Sequence, residues 1–239
     1  MAILAVLLAV CLIQGFQALT TTSAPCAVNM TSLAVQQNFN FTAFMGKWYE
    51  LRWWDGINHL NDKHALEGLA FEFTEPPKFQ PSQPEALATL YGYPRDSAEK
   101  KCVKLNYGGK AKLYNVSSTE PAKMRYLASS TLDSHFWVIN TDYKSALVIQ
   151  CSGITNDTCD TNVKINIFNR KILSINSKTL KGYYDYIIQN LCVQDPENAM
   201  VTTKLDKDCE QVMNHAGRLF FGIPAILLPV IAIVMTKFF

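Results

Sequence analysis

Apolar and polar residues alternate over several short segments in the middle of the chain. Residues 65–74 (ALEGLAFEFT) place Ala65, Leu69, Phe71 and Phe73 on one face. A period of two is typical of a strand with one buried face. Further strands are predicted at close spacing, with turn residues between them, over residues 86–93, 123–129, 135–140, 146–151 and 163–169.

An aromatic-rich strand is predicted before this set, where residues 38–45 form a short turn that ends at Gly46. Glycine permits a close backbone approach or a positive φ at such a junction. The strand carries aromatic side chains that favour a pleated, half-buried surface. These aromatic residues are Trp48, Tyr49, Trp53 and Trp54.

A glycine pair, Gly108-Gly109, interrupts the middle of the strand-rich region between residues 101–107 and 110–115. The pair indicates either a hairpin turn between two strands or a bend in one long strand. Many short strands separated by turns are typical of a sandwich or barrel. About eight strands close a barrel just wide enough to hold one small ligand.

The pattern changes to a helical period after the last of these strands. Apolar residues recur at three and four residues within 175–191, which predicts an amphipathic helix on the outside of the barrel. Its predicted apolar positions are Leu180, Tyr184, Ile187, Ile188 and Leu191.

Two apolar segments lie at the ends of the chain. Residues 1–18 contain an apolar run and end in Phe-Gln-Ala, a small-residue cleavage site, so they are predicted to be a secretory signal peptide. Residues 219–239 are almost entirely apolar. The domain between them, residues 19–212, has about 200 residues, which fits one all-β barrel.

The cysteines and sequons agree with a secretory route. Seven cysteines occur, and Cys11 lies in the predicted signal peptide. An even number of remaining cysteines in a secreted chain predicts disulfides, and six cysteines allow 15 connectivities. Asn-X-Ser/Thr sequons predict N-glycosylation. The sequons begin at Asn29, Asn40, Asn115 and Asn156.

The sequence contains no pattern that indicates a catalytic or metal site. Its net charge of +2 gives no reason to propose a nucleic-acid partner. The four histidines lack the spacing of metal ligands, and no nucleophile elbow, P-loop or dinucleotide fingerprint occurs. Neither catalytic residues nor a metal site are therefore predicted.

Three segments occur in the order and at the separations of the lipocalin signature. Residues 46–50 (GKWYE) resemble the first family motif, Thr141-Asp142-Tyr143 resembles the second, and Arg170 resembles the third. Residues 115–124 also resemble the group of apolipoprotein D, Lazarillo and the insect bilin-binding proteins. The resemblance implies an all-β fold, an eight-stranded antiparallel up-and-down β-barrel with one C-terminal α-helix packed outside.

The family motifs imply structural roles for their residues. In lipocalins the motif tryptophan plugs the closed end of the barrel and the arginine lies across it. Trp48 and Arg170 are therefore expected to form a cation–π contact of about 0.5–2 kcal/mol. The motif residues to which we assign a structural role are Gly46, Trp48, Thr141, Asp142, Tyr143 and Arg170.

The resemblance also suggests how the six cysteines pair. The first expected pair follows the group's link from an N-terminal cysteine to the cysteine after the second motif. The second ties the C-terminal segment to a middle strand, by analogy with other lipocalins, and the third is what remains. The expected pairs are Cys26–Cys151, Cys102–Cys209 and Cys159–Cys192. If all six cysteines pair, no thiol is left for an isomerase-type enzyme.

The C-terminal tail is predicted to attach the protein to a membrane. An apolar tail that follows small residues resembles a GPI-attachment signal, and Lazarillo is a GPI-linked lipocalin. Asn214 is the expected attachment site, with Ala216 or Gly217 as alternatives. A single transmembrane helix over 219–235 is the competing interpretation, at the lower limit of length for spanning a bilayer.

The functional hint is the aromatic content of the predicted strands, which suits an apolar pocket with a few polar tips. The residues expected to line it are Leu69, Phe71, Phe73, Tyr91, Tyr93, Tyr107, Tyr126 and Trp137. The resemblance implies a small hydrophobic ligand, such as a fatty acid, retinoid, sterol or tetrapyrrole. The alternatives are a cell-surface adhesion or signalling protein without a carrier role, and a lipid-isomerase-type enzyme.

Overall fold

The computed structural model describes residues 28–56, 66–76, 84–94, 101–105, 111–117, 119–129, 132–160, 163–172, 175–203, 205 and 207–216. The predicted signal peptide, the apolar tail over 219–239, Cys26 and Tyr107 lie outside these residues. No helix within the described ranges is long and apolar enough to cross a bilayer.

Strands are the most frequent secondary structure in the described chain. They are β1 Gly46–Trp54, β2 Leu66–Thr74, β3 Glu85–Pro94, β4 Val103–Leu105, β5 Lys112–Asn115, β6 Lys123–Ser129, β7 Leu132–Thr141, β8 Ser145–Cys151, β9 Ile154–Thr155, β10 Thr158–Cys159, β11 Lys164–Asn169 and β12 Val201–Thr202. The helices are α1 Phe41–Phe44, α2 Ser177–Asn190, α3 Pro196–Ala199 and α4 Lys207–Ala216.

The long strands form one closed antiparallel barrel. Each strand pairs with its neighbour in the chain, and β11 pairs with both β8 and β1, which closes the sheet. Strands β4 and β5 occupy a single position, because β4 pairs with Leu90–Gly92 and β5 pairs with Glu85–Leu87 of the same strand. The barrel therefore has eight strand positions, and β4 and β5 both pair with β3 and not with each other. The glycine pair itself lies outside the described residues.

A bulge in β1 changes which of its residues face inward. The register with β11 shifts between Glu50 and Arg52, so the extra residue reverses the alternation there. Trp48 and Glu50 face the interior before the bulge, opposite Phe71 and Phe168 respectively. After the bulge Trp53 faces the interior, opposite Asn166.

Helix α2 covers the outer face of β8, as the helical period predicts. Asn176 caps its N-terminus by accepting a hydrogen bond from the Lys178 backbone N–H. The Tyr183 hydroxyl lies 3.0 Å from the Ser145 hydroxyl on β8. Tyr183 and Ile187 are buried, whereas Ile188 is 40% exposed. The prediction that Ile188 belongs to the apolar face was wrong, because the buried face is centred on Tyr183 and Ile187.

The disulfides agree with the expected pattern in one pair and contradict it in the others. The expected Cys102–Cys209 bond is present. Cys151 pairs with Cys159, not with Cys26, because the short β9–β10 hairpin turns the chain back within eight residues and brings the two together. Cys192 is also disulfide-bonded, but not to Cys159.

Candidate functional site

The closed end of the barrel is built around Trp48, which is 1% exposed. Its indole N–H donates to the Phe44 carbonyl at 2.7 Å, and the Phe44 ring stacks on it at 4.7 Å between centroids. The Arg170 guanidinium lies 3.8 Å from the centre of the indole ring. This is the cation–π contact that the motifs imply.

Arg170 also ties three segments of backbone together at this end. Its guanidinium donates to the carbonyls of Ala43, Phe44, Lys47 and Tyr143 at 2.9–3.2 Å. Burial lowers the pKa of Arg170 to about 10, so it remains charged at neutral pH. Gly46 has a φ of +96°, and a Cβ there would lie 3.1 Å from the Arg170 guanidinium. A side chain at this position would therefore be strained.

The second motif is a hydrogen-bonded turn between β7 and β8. The Asp142 carboxylate accepts from the backbone N–H groups of Lys144 and Ser145 at 2.9 and 2.6 Å. Burial acts to raise the pKa of Asp142, but these hydrogen bonds outweigh it and the net pKa is lowered. Thr141 donates to the Ser145 carbonyl, and the Tyr143 hydroxyl accepts from the Asn40 N–H. These contacts give the motif a structural role.

Four of the predicted lining residues do face the interior. The ring of Phe71 packs against those of Phe73, Tyr126 and Phe168 at 5.5–5.7 Å. Leu69 shares the inward face of β2 with Phe71 and Phe73, and it is half-buried. The lower interior, near Trp48, is therefore filled by aromatic rings.

Tyr91 and Tyr93 were wrongly predicted to line the barrel. Leu90 lies opposite Phe71 and faces inward, so the tyrosines on either side of Gly92 face outward. They pack with Tyr49, Cys102 and Met213 under α4, and the Tyr91 hydroxyl donates to Glu72 at 3.1 Å. Because a helix covers this outer face, apolar residues occur on both sides of β3 and alternation alone does not identify the interior.

Trp137 was also assigned to the wrong face. Its neighbour Phe136 packs on Phe71 and Phe73 inside the barrel. Trp137 instead lies outside, opposite Lys123, whose ammonium sits 4.7 Å from the ring centre. The eighth predicted lining residue, Tyr107, lies outside the described residues.

Halfway along the interior, a group of polar side chains replaces the aromatic rings. Glu50 is 3% exposed, and its carboxylate lies 3.7 Å from the Lys164 ammonium. Burial raises the pKa of Glu50, although the nearby Lys164 acts to lower it. Asn166 lies on the same face of β11 as Phe168, between Trp53 and Val148 on the adjacent strands. Neither amide atom of Asn166 has a hydrogen-bond partner among the described residues.

Sequence reasoning missed this polar group. Ile165 and Ile167 alternate with Lys164, Asn166 and Phe168, which suggests that the isoleucines form the buried face. Both faces of β11 are in fact buried, because α2 covers the outside. Glu50 belongs to the first family motif, and nothing else in the sequence marks it as a polar residue of the interior.

The inner wall is open toward the end opposite Trp48. Val103 and Leu105 lie opposite Gly92 and Leu90, so they face the interior. Val103 is 39% exposed, and Leu105 and Leu69 are half-buried. These inward-facing side chains therefore offer exposed apolar surface that a bound apolar molecule could cover.

The predicted glycosylation residues differ in their exposure. Asn29, Asn40 and Asn156 are exposed, whereas Asn115 is half-buried and donates to the Pro121 carbonyl at 3.5 Å. Asn40 also caps α1. These positions make Asn29 and Asn156 the most accessible acceptors.

Asn214, the predicted GPI-attachment residue, lies in α4 and accepts a hydrogen bond from Lys47 at 2.7 Å. Helix α4 extends past residue 212, where the sequence placed the end of the domain, and buries Met213 completely. The folded part therefore continues into the segment assigned to the tail.

The described side chains offer little for covalent or metal chemistry. All five described cysteines are disulfide-bonded. No group of three or more histidine, cysteine or acidic residues within the described ranges could hold a metal ion. The interior is instead suited to non-covalent binding by apolar contact and a few hydrogen bonds.

The arrangement of strands is that of the lipocalin fold, an eight-stranded antiparallel barrel with a helix outside. The structure is similar to that of lobster apocrustacyanin A1, with a TM-score of 0.52 and 18% sequence identity over 74% of this chain and 87% of that chain. No protein-family model matches the sequence. A search of curated proteins also found no match.

Proposed function

We propose that this protein is an extracellular carrier that binds a small hydrophobic ligand in its barrel and is held on the cell surface by a GPI anchor. The observation that carries the binding proposal is the exposure of the inward-facing side chains of Leu69, Val103 and Leu105, away from the sealed end. Burying such apolar surface contributes about 25 cal/mol per Å². Covering these side chains with an apolar ligand would therefore supply binding free energy without any covalent chemistry.

The location is supported by sequence features alone. The apolar start of the chain, the sequons and the even number of remaining cysteines favour the secretory pathway. The apolar C-terminal segment favours lipid attachment. Because α4 includes both Asn214 and Ala216, the remaining alternative, Gly217, becomes the preferred attachment residue.

A binding assay with two matched variants tests the carrier proposal. Leu69→Trp fills the open half of the interior, whereas Val116→Trp adds the same side chain at a position that is 54% exposed. Displacement of the fluorophore N-phenylnaphthylamine by fatty acids, retinoids and sterols should weaken at least tenfold in Leu69→Trp and be unchanged in Val116→Trp. Equal binding by both variants would exclude the barrel as the binding site.

A second experiment tests the anchor. Phosphatidylinositol-specific phospholipase should release the protein from cells, and native mass spectrometry after glycan removal should detect any co-purified ligand. Retention on cells with the tail peptide intact would replace the GPI anchor by a transmembrane helix. A visible absorption band in released protein would indicate a tetrapyrrole or another pigment.

Adhesion or signalling without a carrier role is the second candidate. It is favoured by the packed rings of Phe71, Phe73, Phe136 and Phe168 in the lower interior. A protein of this kind would displace no fluorophore with any apolar compound. The same binding assay therefore separates the two functions.

A further inference from the structure

The middle of the barrel contains an amide that is costly to bury as it stands. Asn166 is 0% exposed, and among the described residues both its oxygen and its nitrogen lack hydrogen-bond partners. A buried polar group without a hydrogen-bond partner lowers the stability of the fold. A buried asparagine on an inward face therefore calls for a partner that the folded chain itself does not supply.

The surroundings of Asn166 show where that partner would lie. Phe168, two residues along β11, belongs to the aromatic floor through its contacts with Phe71 and Phe136. On the other side, Lys164 reaches past Asn166 toward Glu50. The amide thus lies at the boundary between the ring-filled lower interior and the half-exposed upper wall.

The charges near Asn166 disfavour an anionic partner. The Lys164 ammonium already faces Glu50 at 3.7 Å. This ammonium is therefore already paired with a buried carboxylate, and a further negative charge in this interior would be poorly compensated.

A hydroxyl group matches what Asn166 lacks. A hydroxyl carries one donor and two acceptor positions, so it can donate to the amide oxygen while it accepts from the amide nitrogen of the same residue. We infer that the ligand of the proposed carrier is a neutral apolar molecule that ends in a hydroxyl, and that Asn166 binds that hydroxyl. The inference rests on the proposed function and narrows its ligand classes toward alcohols such as sterols or retinol-like molecules.

Three compounds with the same chain distinguish the head groups. Hexadecanol, its methyl ether and hexadecanoate would each compete with N-phenylnaphthylamine for the wild-type protein at neutral pH. The alcohol should bind about tenfold more tightly than the ether, which accepts but cannot donate; a tenfold ratio corresponds to about 1.4 kcal/mol. The alcohol should also bind more tightly than the acid. Tighter binding of the acid, or equal binding of alcohol and ether, would overturn the inference.

Two variants assign the preference to Asn166. Asn166→Leu keeps the side-chain size and removes the hydrogen bonds, so alcohol and ether should bind it equally. Val148→Ala, in the neighbouring position on β8, should lower the affinities of all three compounds together and keep their ratio. An unchanged ratio in Asn166→Leu would exclude Asn166 as the hydroxyl partner.

The proposed function and this inference fail in different ways. If none of the three compounds displaces the fluorophore from wild type, the carrier function is wrong and the inference falls with it. If all three displace it without the expected order, the carrier function stands and only the hydroxyl preference is wrong. The wild-type series gives this answer even if a variant does not fold.

Discussion

The polar groups at the closed end of the barrel and those halfway along its interior differ in how completely they are hydrogen-bonded among the described residues. At the closed end, the guanidinium of Arg170 donates to four backbone carbonyls, and the indole N–H of Trp48 donates to one of these, the Phe44 carbonyl. Halfway along, Glu50 and Lys164 face each other at 3.7 Å, beyond hydrogen-bond distance, and Asn166 has no partner among the described residues.

This difference separates a group that stabilises the fold from one that is suited to binding. A fully satisfied network stabilises a single arrangement, whereas a partly satisfied network lowers stability unless something else supplies the missing hydrogen bonds. We therefore expect substitutions at the closed end to reduce stability. We expect substitutions at the middle level to alter binding and to leave stability unchanged or increased.

The largest effect should come from removing the closed-end plug. Trp48→Ala deletes a fully buried indole together with its stacking on Phe44, and such truncations cost about 3–5 kcal/mol of unfolding free energy. Urea denaturation followed by circular dichroism would measure it. Val116→Ala, at an exposed position, should stay within about 0.5 kcal/mol of wild type. A cost below 1 kcal/mol for Trp48→Ala would show that the plug is not essential for the fold.

A smaller loss is expected when the cation above the plug is removed. Arg170→Met keeps much of the apolar stem but leaves the carbonyls of Ala43, Phe44, Lys47 and Tyr143 without this donor. Hydrogen bonds to charged groups contribute about 1.5–3 kcal/mol, so we expect a loss of about 2–3 kcal/mol in urea denaturation. Lys171→Met, at the adjacent exposed residue, should have little effect. Equal unfolding midpoints for both variants would contradict the network's role.

Two asparagines on one strand allow the sharpest test of the comparison. Asn166 has no hydrogen-bond partner among the described residues, whereas Asn169 is 5% exposed and donates to the Lys171 carbonyl at 2.9 Å. Asn166→Leu should raise the unfolding free energy by about 1–2 kcal/mol because it removes an unsatisfied buried amide. Asn169→Leu should lower it by about the same amount. Losses of equal size in both variants would mean that Asn166 is satisfied in the unliganded protein.

The fold was predictable because several independent patterns agree on it. Alternation in β2, the helical period of α2 and the motif residues around Trp48 and Arg170 each depend on local sequence. The faces of β3 and β7 were not predictable, because α4 covers Tyr91 and Tyr93 from outside and the outer face around Trp137 is also buried. A strand buried on both sides contains apolar residues at every position, so its period no longer marks the interior.

The candidate site was predicted only in part, for a related reason. The inward aromatic residues of β2 were identified from alternation, but Asn166 lies in a strand whose outward positions, Ile165 and Ile167, are more apolar than its inward ones. The partner of Cys151 could not be identified either, since it depends on a hairpin of two-residue strands that leaves little pattern in the sequence. Both cases depend on tertiary contacts and not on local preference.

The smallest effect, and the one that contrasts the two levels most directly, is the pH dependence of stability. The folded protein has a lowered pKa at Asp142, where hydrogen bonds from Ser145 and Lys144 outweigh burial. Asp142 therefore stabilises the fold above its unfolded pKa, and this contribution is lost as the pH falls through the lower folded value. The pKa of Glu50 is raised by burial against the opposing effect of Lys164, so its ionisation costs stability as the pH rises above the unfolded value.

Urea denaturation from about pH 3 to about pH 8 should show these opposite slopes. The advantage of wild type over Asp142→Asn should shrink toward acid, whereas the stability of wild type relative to Glu50→Gln should decline toward neutral pH. Slopes of the same sign would mean that the two carboxylates occupy similar environments, and the contrast between the closed end and the middle of the barrel would then be lost.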